Sequence, residues 1–160
     1  MTYGIFLVIV ALVVIVIFAR GSKKRLFGRM NEYVNSIQVG VYAKLSRSLC
    51  SEHGTEQGKL LAAAVANRLF GRPSRHDQSV LSLAEQIARQ TVQTDQEVRY
   101  AALMALRTRM TIETGRKNLE ETRRITETVT WMKQFWELPP DAPNPEVMEQ
   151  IAVSFVTKYS

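Results

Sequence analysis

Residues 5–18 read IFLVIVALVVIVIF, thirteen large apolar side chains and one alanine, with no polar atom among them. With Tyr3, Gly4 and Ala19 the run becomes 17 residues, about 25 Å as a helix and near the lower limit for crossing a hydrocarbon core of roughly 30 Å. The thirteen Leu, Ile, Val and Phe residues favour insertion by about 4 to 8 kcal/mol at most, because the per-residue values hold for the helix centre. The stretch therefore predicts a transmembrane anchor over residues 1–19. It has no small-xxx-small pattern and no polar residue to pair across helices, so it reads as a lipid-facing or loosely packed span.

The charges beyond the run orient it. The formal charge of the chain is +6. From Arg20 to Cys50 seven basic residues (Arg20, Lys23, Lys24, Arg25, Arg29, Lys44, Arg47) face Glu32 alone, a balance of +6, and the remaining 14 basic and 14 acidic residues cancel. An excess confined to the flank of a span marks its cytoplasmic side, so the N-terminus is expected outside and the rest of the chain inside. Anionic lipid would attract the same residues, at about 1 kcal/mol for each one near the surface. Met1 and Thr2 are too few to form a domain outside. A cleaved signal peptide is the rival reading, since Ala19 and Gly21 put small residues before Ser22. The absence of a basic n-region and the length of the apolar run argue against it. A single Cys50 cannot form an internal bridge and suits a reducing compartment.

Beyond the anchor the hydrophobic period is helical throughout. Leu26, Met30, Tyr33, Val34, Ile37, Val41, Leu45 and Leu49 mark one face of an amphipathic helix within residues 20–50. Phe27 lies off that stripe beside Arg25 and Arg29, so the first turn is placed on the membrane surface. CSEHGTEQG interrupts the pattern. The segment KLLAAAVANRLFG then resumes a thin, alanine-rich helix that ends at Gly71 before Pro73. Val80, Leu83, Ala84, Ile87, Ala88 and Val92 form the next stripe. Thr94 followed by Glu97 fits a capping box, which starts a further helix expected to bend or break near Gly115. Leu119, Ile125, Val129, Met132 and Trp136 carry the period onward, with Glu113 to Lys117 and Glu120 to Arg124 spaced for i,i+4 pairing. Four prolines in ELPPDAPNPE make 138–144 a linker. Asn144 and Pro145 open a last helix over 145–160, whose apolar side holds Val147, Met148, Ile151, Phe155 and Val156.

The expected fold is all-α: one transmembrane helix, then a cytoplasmic bundle of about five or six helices whose body is residues 51–137. A solenoid-like stack is the alternative arrangement.

No constellation carries an evident chemistry. Cys50 and His53 have Cys-x-x-His spacing with His76 downstream, but a structural zinc site needs four ligands and the chain has one cysteine and two histidines. No nucleotide-binding glycine pattern or nucleophile elbow is present. No metal or cofactor is therefore expected. Arg107, Arg109, Arg116, Lys117, Arg123 and Arg124 spread around a helix rather than sharing one face, which favours a solvated surface over phosphate binding. Trp131, Phe135 and Trp136 make the end of one helix apolar over a wide arc, as a core does or a contact on another protein.

These features predict a non-catalytic, membrane-anchored accessory or scaffolding subunit that presents a helical cytoplasmic domain to a larger complex or a soluble partner. Arg20, Lys23, Lys24, Arg25, Phe27 and Arg29 are its membrane-surface residues, with anionic lipid at the cytoplasmic face. Trp131, Phe135, Trp136, Met148, Ile151 and Phe155 are its candidate contacts with other protein subunits. The alternatives are a membrane-tethered enzyme with a carboxylate or arginine site, and a membrane-surface nucleic-acid-binding protein. Nucleic acid is the less expected partner because the helical body is neutral.

Overall fold

The computed structural model describes residues 2–136 and 145–159, with side chains from Arg20 onward except those of 145, 155, 156, 158 and 159. The described residues form six helices and no strand: α1 Thr2–His53, α2 Thr55–Leu69, α3 Gln78–Thr94, α4 Gln96–Arg116, α5 Leu119–Gln134 and α6 Pro145–Tyr159. The linker expected at 138–144 lies outside the described residues.

Helix α1 is 52 residues long, about 78 Å at 1.5 Å per residue. Its backbone runs without a break from the apolar stretch through RGSKKR and past Gly28 and Gly40. The side chains of residues 1–19 lie outside those described, and among the described residues no helix is long and apolar enough to cross a membrane. From Val34 onward the amphipathic stripe is core: Val34, Ile37, Val41, Leu45 and Leu49 are all buried. Leu26, the first member of that stripe, is instead exposed, because the bundle has not yet closed around α1 at that level.

The other helices fold back along this spine. After Gly54 the chain reverses and α2 descends beside α1, with Leu61, Ala62, Ala64, Val65 and Leu69 buried. A Cβ at Gly58 would fall on the backbone of Cys50, so the two helices approach there as closely as glycine permits. The small residues of α2 thus bring backbones together, as its alanine-rich sequence predicts. Helix α2 stops because Gly71 adopts φ +62, the left-handed conformation that ends helices at little cost to glycine, and Pro73 follows. Helix α3 packs on α2 and α4 through Ala84, Ala88 and Val92.

Helix α4 is the second axis of the core and runs antiparallel to α1. Near its start Asp95 Oδ2 lies 2.7 Å from Lys44 Nζ, and near its end Gly115 lies against Phe27. One boundary expectation is corrected here. Asp95, not Thr94, is the N-cap of α4, accepting the Val98 N–H, while the Thr94 hydroxyl donates to Gln90 O as the last residue of α3. The expected break near Gly115 is present: α4 ends at Arg116, with Lys117 taking the left-handed conformation at φ 59. Asn118 then caps α5 by accepting the Glu121 N–H. Of the two expected i,i+4 pairs, Glu120–Arg124 forms at 2.5 Å, whereas Glu113 pairs with Arg116 and Asn118. Helix α6 docks on the chain's own bundle, against α1 and α4, with Ala152 fully buried and Met148 and Ile151 packed on the core.

Candidate functional site

Arg20, Lys23, Lys24, Arg25 and Arg29 are all exposed in the part of α1 between the apolar stretch and the core stripe. Five positive charges within ten residues repel one another, and solvent or an anionic surface relieves that repulsion. Phe27 is half-buried, its ring seated on Gly115 of α4 with the Lys23 ammonium 5.5 Å from the ring centroid. Lys23 Nζ also donates to the Gly115 carbonyl at 3.4 Å. The basic flank is thereby fixed to the end of α4, so the α4–α5 turn shares its end of the bundle.

The aromatic cluster is turned inward. Trp131 and Trp136 are each 9% exposed. Trp136 stands edge-on to Tyr100 with centroids 5.8 Å apart, and Trp131 does the same to half-buried Phe135 at 5.5 Å. The Trp131 indole N–H donates to Glu85 Oε1 at 2.9 Å, and the Arg68 guanidinium stacks 3.8 Å above the Trp131 ring. Arg68 and Arg89 both donate to the Glu85 carboxylate, at 2.6 and 3.0 Å. Burial alone would raise the Glu85 pKa, but the hydrogen bonds and charges of Arg68 and Arg89, with Trp131, outweigh it and hold the carboxyl below its ordinary value. This network joins α2, α3 and α5. Met148 and Ile151 are half-buried against the core, and the Phe155 side chain lies outside the described residues. Of the residues read as partner contacts, Trp131 and Trp136 are buried and Phe135, Met148 and Ile151 half-buried.

Arg109, read from sequence as part of a solvated basic face, is 3% exposed. It donates to the Phe70 carbonyl at the end of α2 and to Glu121 Oε2 at 2.7 Å in the first turn of α5. Burial, and then the charge of Arg72, depress its pKa against the opposing pull of Glu121. It fastens three helices.

The exposed apolar residues lie elsewhere. Val39 is 58% and Tyr42 36% exposed on the outer side of α1. With Ala63 and Ala66 of α2 they line a shallow groove of about 340 Å³, rimmed by Asn35 and Arg72. Sequence reading missed it because it followed the inward stripe. The available signal was two large apolar residues off that stripe, opposite alanines that leave room between helices. A second cleft, of about 440 Å³, lies between α1, α4 and α6 and is lined by Arg29, Arg107, Glu146 and Glu149 around Tyr33. Burial and the Glu149 charge raise the Tyr33 pKa.

Among the described residues no group of three His, Cys, Asp or Glu side chains is placed to hold a metal ion. Cys50 packs at the α1–α2 turn, its Sγ donating to the Thr55 carbonyl at 3.5 Å, and His53 lies 3.9 Å from Glu52. Comparison of the chain with protein-family models, curated proteins and solved structures found no match.

Proposed function

We propose that the protein is a membrane-anchored, non-catalytic accessory subunit whose helical domain is held at the cytoplasmic face as a rigid extension of its anchor. The observation that carries this reading is the continuity of α1: one helix contains the apolar stretch 5–18, the basic flank and the central stripe of the core. A flexible linker would let the domain wander. A continuous helix fixes its height and, through the packing of Val34 to Leu49, its rotation about the anchor axis. Such an arrangement suits a scaffold that presents one face to a neighbour in or beside the membrane.

The face best suited to that neighbour is the groove of Val39, Tyr42, Ala63 and Ala66, which has the form of a seat for an amphipathic helix of another subunit. Anionic lipid engages Arg20, Lys23, Lys24, Arg25 and Arg29, and the N-terminus lies outside.

The test is a photo-reactive residue placed at Val39 in the full-length chain in its native membrane, with a control at exposed Glu127 on α5. The reading expects the chain to remain with the membrane after an alkaline wash and to give one discrete adduct from position 39 and none from 127. Release by the wash refutes the anchor; equal labelling from both positions refutes the groove as the contact.

A further inference from the structure

The α4–α5 turn lies at the same end of the molecule as the basic flank, although some 90 positions separate them in sequence: Lys23 reaches the Gly115 carbonyl and Phe27 covers Gly115. Phe27 is seven residues beyond Arg20, about 10 Å along the helix axis. Helix α4 runs toward the flank and α5 runs away from it, with Thr128 beside Gly71 and Trp131 beside Arg68 further up. Among the described residues, 116–119 are therefore the turning point nearest the apolar stretch.

At that point stands Leu119, 82% exposed, the most exposed large apolar side chain among the described residues. Arg116 and Lys117 precede it, both exposed, and Lys117 holds the left-handed turn that projects the leucine. Leu26, 56% exposed, lies one residue from Phe27 at the same level of α1. A headgroup layer suits such a side chain, because it takes the apolar group into its acyl boundary while the neighbouring Lys117 meets lipid phosphate.

We propose that the α4–α5 turn is a second membrane contact, with Leu119 inserted into the headgroup layer and Lys117 on anionic lipid, so that the domain stands on the bilayer at two points. The occupant is the anionic bilayer surface: Glu113 pairs with Arg116, and Glu120 and Glu121 pair with Arg124, so the five exposed cations of the flank and Lys117 set the sign of this end of the molecule. The inference rests on the anchoring reading above. Two contacts would fix tilt as well as height, since a single helix leaves its domain free to lean.

The test uses the full-length chain carrying Cys50→Ser and one fluorophore-labelled cysteine, at Thr114 or, as a distant control, at Glu56. It is reconstituted into phosphatidylglycerol and phosphatidylcholine vesicles containing a lipid with a quencher just below the headgroup. The expected result is loss of most of the fluorescence at 114 and little change at 56. Adding Leu119→Ser with Lys117→Gly, which keeps the left-handed turn while removing the leucine and one charge, should restore the signal at 114. If the protein floats with the vesicles but 114 is as bright as 56, or quenching survives the double change, the second contact is refuted and the anchor stands. If the protein does not float with the vesicles, the anchoring reading falls and this inference with it.

Discussion

Arg109 illustrates how one side chain closes a bundle. Its guanidinium satisfies the Phe70 carbonyl, one of the unpaired acceptors at the end of α2, while meeting Glu121 across the α4–α5 turn. Arg109→Met should cost about 2 to 3 kcal/mol in urea unfolding, near the value of a charged hydrogen bond rather than a fully buried ion pair, because Glu121 keeps Arg124. The residue was partly legible. Val98, Ala102, Ala105, Arg109 and Ile112 follow at intervals of three and four, so Arg109 lies on the buried stripe. A count of neighbouring arginines hides that position, and periodicity cannot say which carbonyl the side chain will meet. Glu85 gives the pH counterpart. Its carboxyl is held below the ordinary 4.5 in the folded state, so it contributes stability above that value that is lost as pH falls through the lowered folded value. Wild type should therefore lose melting temperature more steeply than Glu85→Gln below pH 4.5, while Glu85→Gln should be the less stable at pH 7.

Among the elements, helix identity was readable, and so were the stop of α2 before Gly71, the break near Gly115 and the start of α6 at Pro145, but the start of α4 was misplaced by one residue. The stripes of α1 beyond Leu26 and of α3 are those expected, since burial of one face per helix dominates their energetics, whereas Val147 of the α6 stripe is exposed. The ends depend on single hydrogen bonds and single dihedral angles. Thr94 and Asp95 are both good N-caps one residue apart, and the choice fell to Asp95, whose carboxylate also meets Lys44 of α1. At the end of α4 a lysine adopts the conformation expected of glycine, because Gly115 is used to admit the Phe27 ring. The close approach of α1 and α2 supplies a test at this scale. Gly58→Ala should cost about 1 to 3 kcal/mol as the helices separate. Gly28→Ala, with nothing within 4 Å of the new Cβ, should instead stabilise α1 by about 0.5 to 1 kcal/mol. Chemical denaturation of the two variants beside wild type reads both signs, and a loss in both would mean the α1–α2 contact is not what makes Gly58 special.

At the scale of the molecule, one long helix converts a sequence pattern into a position. Apolar stretch, basic flank and core stripe appear in the sequence as three separate signals; their fusion into α1 does not, because Gly21, Gly28 and Gly40 read as places where a helix weakens. Antiparallel packing of α2 and α4 on α1 supports the helix around buried Gly40. The consequence is geometric. From Arg20 to the turn at Gly54 α1 rises 34 residues, about 50 Å, or about 45 Å along the membrane normal with an average tilt. Energy transfer from a donor at Glu56→Cys, on a Cys50→Ser chain in vesicles, to acceptors on lipid headgroups measures that height directly. The rigid-anchor account predicts a distance of closest approach of about 45 to 50 Å; a distance under about 30 Å, as for a domain lying flat on the bilayer or swinging from a hinge in the flank, would contradict it.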